Sequence, residues 1–117
     1  MQRILVVEDN SELRETLVVL IEDATRAVTA CASAEEALRE FVAAPFDAVF
    51  TDMNLPRMSG LDLATLVREI APATWIVFSS GAAPAVPVGD GVRFLGKPFT
   101  LEALDALLAE ISAAPAG

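Results

Sequence analysis

Short apolar runs alternate with helix-like patterns along most of the chain. Runs of three to five residues, rich in branched side chains, are typical of strands that are covered on both faces of a sheet. The five predicted strands span residues 4–7, 28–32, 48–51, 76–78 and 92–95. The first of these runs contains no polar residue and ends at two acids, Glu8 and Asp9.

Between the strands, apolar residues recur three and four positions apart, which is the spacing of one buried helix face. Ser33 to Glu36 has the form of a capping box, and Thr100 can cap the last helix. Pro72 ends the third helix. The predicted apolar helix faces are Leu13, Leu17, Leu20 and Ile21; Ala37, Leu38, Phe41 and Val42; Leu63, Leu66, Val67 and Ile70; and Leu101, Leu104, Leu108 and Ile111.

Strands that alternate with helices predict an α/β fold, because parallel strands are joined by right-handed crossovers. We expect a doubly wound, five-stranded parallel sheet with helices on both faces. The segment 81–91 is unusual, since it joins two strands but contains Pro84, Pro87 and three glycines. A helical crossover normally lacks internal proline. The helix expected at about residues 82–91 is therefore predicted to be short or absent.

Composition limits the class of protein. The 117 residues suffice for one domain, and the apolar fraction of 54% supports a packed core despite a formal charge of −9. That charge argues against binding to nucleic-acid phosphates and favours a cation or a basic protein surface. No segment approaches the roughly 20 apolar residues of a membrane span, and the N-terminal run is too short for a signal peptide. We expect a cytoplasmic protein without a membrane contact.

Two residue counts restrict the chemistry. Histidine is absent, which excludes a histidine nucleophile, base, metal ligand or phosphohistidine carrier. Phosphoryl or proton chemistry must then use carboxylates, hydroxyls, lysine or a bound metal. The single cysteine, Cys31, lies in a predicted strand and is interpreted as a reduced thiol in the core.

Polar residues follow the predicted strands at the edge where such folds bind ligands. Glu8 and Asp9 follow the first strand, Asp52 the third and Lys97 the fifth, while Ser79 and Ser80 end the fourth. Two like charges about 4 Å apart cost about 4 kcal/mol at an effective dielectric of 20, so clustered carboxylates favour a cation. Mg²⁺ suits oxygen ligands, and Mn²⁺ could replace it. Together with Lys97, such a site suits a phosphoryl group.

These residues lie in motifs through which the chain resembles the receiver domain of two-component response regulators. The matching pieces are ILVVEDN at 4–10, DMNLP at 52–56, MSGL at 58–61, SG at 80–81 and FLGKPF at 94–99. Their order, at the ends of the expected strands, makes the combination specific. The resemblance implies a flavodoxin-like strand order 2-1-3-4-5, with residues 1–112 as the receiver domain and 113–117 as a disordered tail.

The resemblance also implies a metal site. Asp52 would be the phosphoacceptor, and Asp9 and Asp52 would ligate Mg²⁺ through their carboxylates. Asn54 would ligate the ion through its backbone carbonyl. Glu8 would act through water or support the shell of the metal.

Further roles concern switching. Ser80 would be the hydroxyl that reorients toward the phosphoryl group, with Ser79 as the alternative. Lys97 would contact phosphoryl oxygens, and the Lys97–Pro98 bond would be cis. Phe94 stands where the family has an aromatic switch residue.

The resemblance implies a phosphoryl donor, either a sensor histidine kinase or a histidine phosphotransfer protein, and output through contact with an unidentified downstream protein. We expect a single-domain receiver that is no enzyme beyond its own phosphoryl transfer and dephosphorylation. A receiver cut from a larger protein, such as a hybrid kinase, is the alternative. A monomer is favoured because the segment 81–91 departs from the family's usual dimer face.

Three alternatives stay open. A pseudo-receiver would keep the fold without phosphorylation. An aspartyl-phosphate phosphatase is disfavoured by Asn54, which stands where such enzymes commonly have a second Asp, and by the lack of a cap domain. Flavin binding is disfavoured because Glu8 and Asp9 would repel its phosphate.

Overall fold

The computed structural model describes residues 1–81, 90–113 and 115. Its five strands are β1 (Gln2–Val7), β2 (Arg26–Cys31), β3 (Ala48–Asp52), β4 (Trp75–Ser80) and β5 (Val92–Gly96). The helices within these ranges are α1 (Ser11–Ile21), α2 (Ala34–Ala43), α3 (Gly60–Ile70) and α4 (Leu101–Ala113).

All strand pairs are parallel, and the sheet order is β2-β1-β3-β4-β5. The predicted fold class and strand order are therefore confirmed. The segment for which a short or absent helix was predicted, at about 82–91, lies mostly outside the described residues, of which only Asp90 and Gly91 form a turn before β5. The predicted boundary at residue 112 stays a prediction, and α4 ends one residue later.

All five strands extend past their predicted apolar runs at one end or both. β2 begins at Arg26, which pairs with Gln2 of β1, and β4 includes both Ser79 and Ser80. Pairing with a neighbouring strand, rather than apolar composition, sets these ends. The serines consequently belong to the sheet itself.

Side chains that alternate along the strands form two hydrophobic clusters, one on each face of the sheet. The first lies under α2 and α3 and includes Leu5, Val7, Phe41, Val49, Leu63, Val67, Ile76 and Phe78. The second lies under α1 and α4 and includes Ile4, Val6, Leu17, Phe50, Val77, Leu95, Leu104 and Ile111. The central strands are buried on both faces, as the unbroken apolar run 4–7 predicted.

Local side-chain bonds start the helices where the sequence indicates. Ser33 Oγ accepts the Glu36 N–H at 3.2 Å, and Thr100 Oγ1 accepts the Ala103 N–H at 3.1 Å, so both residues cap helices as predicted. Of the capping box predicted from Ser33 to Glu36, this is the half that the structure gives. A complete reciprocal capping box is formed by Ser59 and Asp62 at the start of α3. None of the helices in the described ranges is long and apolar enough to cross a bilayer.

Phe41 tests the packing of α2 against the sheet. Its side chain is fully buried. The prediction that its neighbour Val42 shares this buried face is wrong, since Val42 is 64% exposed. Phe41→Ala is expected to lower the free energy of unfolding by about 3–5 kcal/mol, because it removes buried apolar surface and leaves a cavity. Val42→Ala should change it by no more than about 0.5 kcal/mol. Urea denaturation measures both, and equal effects would contradict this packing.

Cys31 yields a prediction about alkaline pH. The thiol is buried, as predicted, and burial, together with a hydrogen bond that the thiol donates to the Glu36 carboxylate, raises its pKa from 9.0 to about 12. The fold therefore favours the neutral thiol. This contribution to stability is present below pH 9 and is lost as the pH rises toward 12, because the unfolded chain ionises first. The stability of the wild type relative to Cys31→Ala should decline over that interval in denaturant titrations, and a constant difference would disprove the prediction.

Candidate functional site

Three acidic side chains meet at the carboxyl edge of the sheet. Glu8 and Asp9 directly follow β1, and Asp52 is the last residue of the adjacent β3. One carboxylate oxygen from each residue lies within 4.8 Å of those of the other two. The structure thus brings together the three acids that the sequence analysis selected.

Glu8 is the buried member of this group, at 2% exposure, whereas Asp9 is exposed. A buried carboxylate needs partners, since its desolvation is otherwise costly. Glu8 Oε2 accepts the Asn10 N–H at 3.1 Å, and Glu8 Oε1 lies 2.7 Å from Lys97 Nζ. Asn10 also caps α1, so the same short turn starts a helix and holds the acid.

Lys97 reaches the acids from the end of β5. Its Nζ lies 2.7 Å from Glu8 Oε1 and 3.1 Å from Asp52 Oδ2. Partial burial opposes the charged ammonium, but the bonds to Glu8 and Asp52 outweigh it, and the pKa of Lys97 is raised. The Lys97 N–H donates to the Ser80 carbonyl at 2.9 Å, and the Lys97–Pro98 bond is cis, as the resemblance implies.

Asp52 is oriented by the loop that follows it. Its Oδ1 accepts the Asn54 N–H at 2.9 Å, while its Oδ2 faces Lys97. The loop closes where the Gly60 N–H donates to the Met53 carbonyl at 3.3 Å. A Cβ on Gly60 would lie 2.0 Å from the Asp52 carbonyl oxygen, so only glycine permits this approach. Gly60 belongs to the MSGL motif at 58–61, but no role was predicted for it.

The two serines of β4 lie on opposite faces of the sheet. Asp52 pairs with Ser79 in register, and by alternation both fall on the α1/α4 face. Ser80 falls on the other face, where partly buried Phe94 packs beside Phe78. Both serines are buried, and Ser79 Oγ has no hydrogen-bond partner among the described residues.

The donor set fits a divalent cation. Three carboxylates and one ammonium leave a charge of −2, which one divalent ion balances. All the side-chain ligands are oxygen atoms, which Mg²⁺ and Mn²⁺ prefer. Asp9 and Asp52 could hold such an ion through carboxylates and Asn54 through its carbonyl, with Glu8 in the surrounding shell.

Comparison with known proteins agrees with this geometry. The family model of the response regulator receiver domain matches residues 4–109 of this chain. The response regulator receiver protein CpdR of Brucella abortus (strain 2308) is 36% identical over 109 residues, which cover 89% of this chain and 91% of that protein.

Other matches differ in length. The protein-glutamate methylesterase/protein-glutamine glutaminase 1 of Myxococcus xanthus (strain DK1622) is 32% identical over 117 residues, and the chain spans only 34% of its length.

Among solved structures, the chemotaxis protein CheY4 of Vibrio cholerae has a TM-score of 0.83 at 27% identity, and the match covers 95% of this chain and 98% of that one.

Lys97 is the only lysine in the sequence, so its ionisation is directly measurable by NMR of lysine labelled at Cε. We expect its pKa to exceed the ordinary 10.5, and the ion pairs to stabilise the fold until the pH rises through that raised value. Glu8→Gln should lower the pKa of Lys97, because the variant removes the nearer carboxylate. Glu12→Gln, at an exposed position of α1, serves as the control. An unchanged Lys97 pKa in Glu8→Gln would show that this ion pair does not form in solution.

Proposed function

Because the chain belongs to the family of response regulator receiver domains, we propose that it is a signalling domain switched by phosphorylation of Asp52. The observation that supports this role best is the meeting of Asp52 with Glu8, Asp9 and Lys97 at one edge of the sheet. Receiver domains are signalling modules of two-component systems and are generally not enzymes. We propose that this chain likewise catalyses only its own phosphoryl transfer and dephosphorylation.

Phosphoryl transfer would use Asp52 as the nucleophile. A carboxylate oxygen forms a bond to phosphorus as the bond from phosphorus to the imidazole nitrogen of the donor breaks, and that nitrogen leaves with the electron pair. A bound Mg²⁺ supplies positive charge that offsets the charge of the phosphoryl oxygens. Asp9, Asp52 and the Asn54 carbonyl would hold this ion, with Glu8 acting through water.

Lys97 is placed to respond to the transfer. Phosphorylation removes the negative charge of the Asp52 carboxylate and presents phosphoryl oxygens nearby, so the ammonium group would exchange one anionic partner for another. Its second partner, the buried Glu8, would keep it in the site. The free-energy cost of moving the Lys97 ammonium from Asp52 to the phosphoryl group would therefore be small, because its ion pair with Glu8 persists.

The switch would include Ser80 and Phe94. The Ser80 hydroxyl would donate a hydrogen bond to a phosphoryl oxygen, and the two residues share the α2/α3 face of the sheet. Movement of Ser80 toward the phosphoryl group would open space into which Phe94 turns. Phosphorylation would thus shift the population between two packings of this face. Ser79, on the face of Asp52, is the alternative hydroxyl.

We propose a sensor histidine kinase or a histidine phosphotransfer protein as the donor, and a downstream protein as the target. The domain would occupy residues 1–112, act in the cytoplasm as a monomer, and bind neither nucleic acid nor membrane. The acidic surface that follows from a net charge of −9 suits basic protein partners.

Acetyl phosphate tests the proposal without the natural donor. With Mg²⁺ present, intact mass spectrometry should find one added phosphoryl group on the wild type and on Asp105→Asn, which changes an exposed acid of α4. Asp52→Asn should gain none, and chelation of the metal should suppress the reaction of the wild type.

Two outcomes would contradict the proposal. A wild type that stays unmodified under these conditions would favour a pseudo-receiver. A phosphoryl group retained in Asp52→Asn would assign the acceptor role to another residue.

A further inference from the structure

Glu35, in the first turn of α2, contacts the loop that follows Asp52. Its Oε2 accepts the Met58 N–H at 3.3 Å and lies 3.9 Å from Arg57 Nε. Its Oε1 is buried and has no hydrogen-bond partner among the described residues. Hydrogen bonds from the N–H of Glu35 itself and from Met58 hold the pKa of this carboxyl below its ordinary value. The side chain is therefore ionised and anchored at neutral pH.

The contact falls where the loop has an unfavourable backbone. Arg57 has φ of 64°, in the left-handed region that residues other than glycine seldom adopt. Its side chain is 84% exposed, so packing of that side chain does not enforce this conformation. Glu35 accepts a hydrogen bond from the next backbone N–H, that of Met58, and forms a longer ion pair with the Arg57 guanidinium. The hydrogen bond in particular opposes relaxation of Arg57 to an ordinary φ.

Other contacts secure the two ends of the loop. At its start, the Asn54 N–H donates to Asp52 Oδ1, and at its end the Gly60 N–H donates to the Met53 carbonyl. Leu55 is buried in the α2/α3 cluster. Glu35 acts on the stretch between these anchors, from a different element of the fold.

We infer that Glu35 is a positioning residue for the cation site. Glu35 would hold the 53–59 loop so that the Asn54 carbonyl stays directed toward the ion. This inference rests on the proposed function, because it takes Asn54 as a ligand. Glu35 itself would touch neither the ion nor the phosphoryl group. It would act through Arg57 and Met58, and its loss would weaken cation binding more than the later chemistry.

The full 117-residue chain can be titrated with Mg²⁺ and followed through its backbone amide NMR signals, which also establish that each variant is folded. Glu35→Ala should raise the dissociation constant for Mg²⁺ about fivefold, which corresponds to the net contribution of one ordinary hydrogen bond. Glu35→Gln keeps an acceptor for the Met58 N–H and should stay within about twofold of the wild type.

Glu40→Ala is the matched control, since it removes the same charge from an exposed position of the same helix. It should also stay within about twofold of the wild type, because a solvated charge at this distance is screened. A second readout is the rate of phosphorylation by acetyl phosphate. Glu35→Ala should need more Mg²⁺ for half-maximal rate and reach nearly the wild-type rate at saturation, which partial unfolding would not produce.

The outcomes separate the two claims. A wild type that does not bind Mg²⁺ would overturn the proposed function itself. Normal Mg²⁺ binding by the wild type with the same affinity in Glu35→Ala would overturn only the role of Glu35. Equal weakening in Glu35→Ala and Glu40→Ala would attribute the effect to charge alone and would also overturn that role.

Discussion

The interaction on which the site depends is the double ion pair of Lys97 with Glu8 and Asp52. The sheet forces three carboxylates together, and their repulsion in a partly buried place would oppose folding if nothing compensated it. One ammonium group offsets part of that charge and leaves the remainder suited to a divalent ion. Under the proposed function, the same arrangement would receive a metal ion and phosphoryl oxygens.

The parallel sheet makes this convergence possible. Successive crossovers return each strand in the same direction, so β1, β3 and β5 all end at one edge although their last residues are far apart in sequence. Two separate hydrophobic clusters secure the helices on either side. The stability of the fold thus comes from the hydrophobic clusters on the two faces of the sheet. The carboxyl edge of the sheet can therefore hold clustered carboxylates although their repulsion is unfavourable.

Much of this arrangement could be predicted from the chain alone. Short apolar runs identified the strands, and the acidic pair after the first run indicated the edge of the sheet that binds ligands. The resemblance implied the strand order. Strand ends were less predictable, because pairing with neighbours extends β2 and β4 beyond their apolar residues. The contacts of Gly60 and Glu35 were not predicted, since each depends on which parts of the fold meet in space. A glycine at the start of a helix or a glutamate in its first turn has several ordinary explanations.

The neighbouring hydroxyls of β4 have a consequence for how such a chain can diverge. Because Ser79 and Ser80 belong to opposite layers, the insertion or deletion of a single residue between Asp52 and Ser80 that shifted the register would exchange the layers these hydroxyls serve. Insertions and deletions are tolerated in the connecting turns only where they leave the register of β3 with β4 unchanged. The number of residues in this part of the chain is therefore constrained as well as their chemistry. Homologues should differ here in side chains sooner than in the spacing between Asp52 and Ser80.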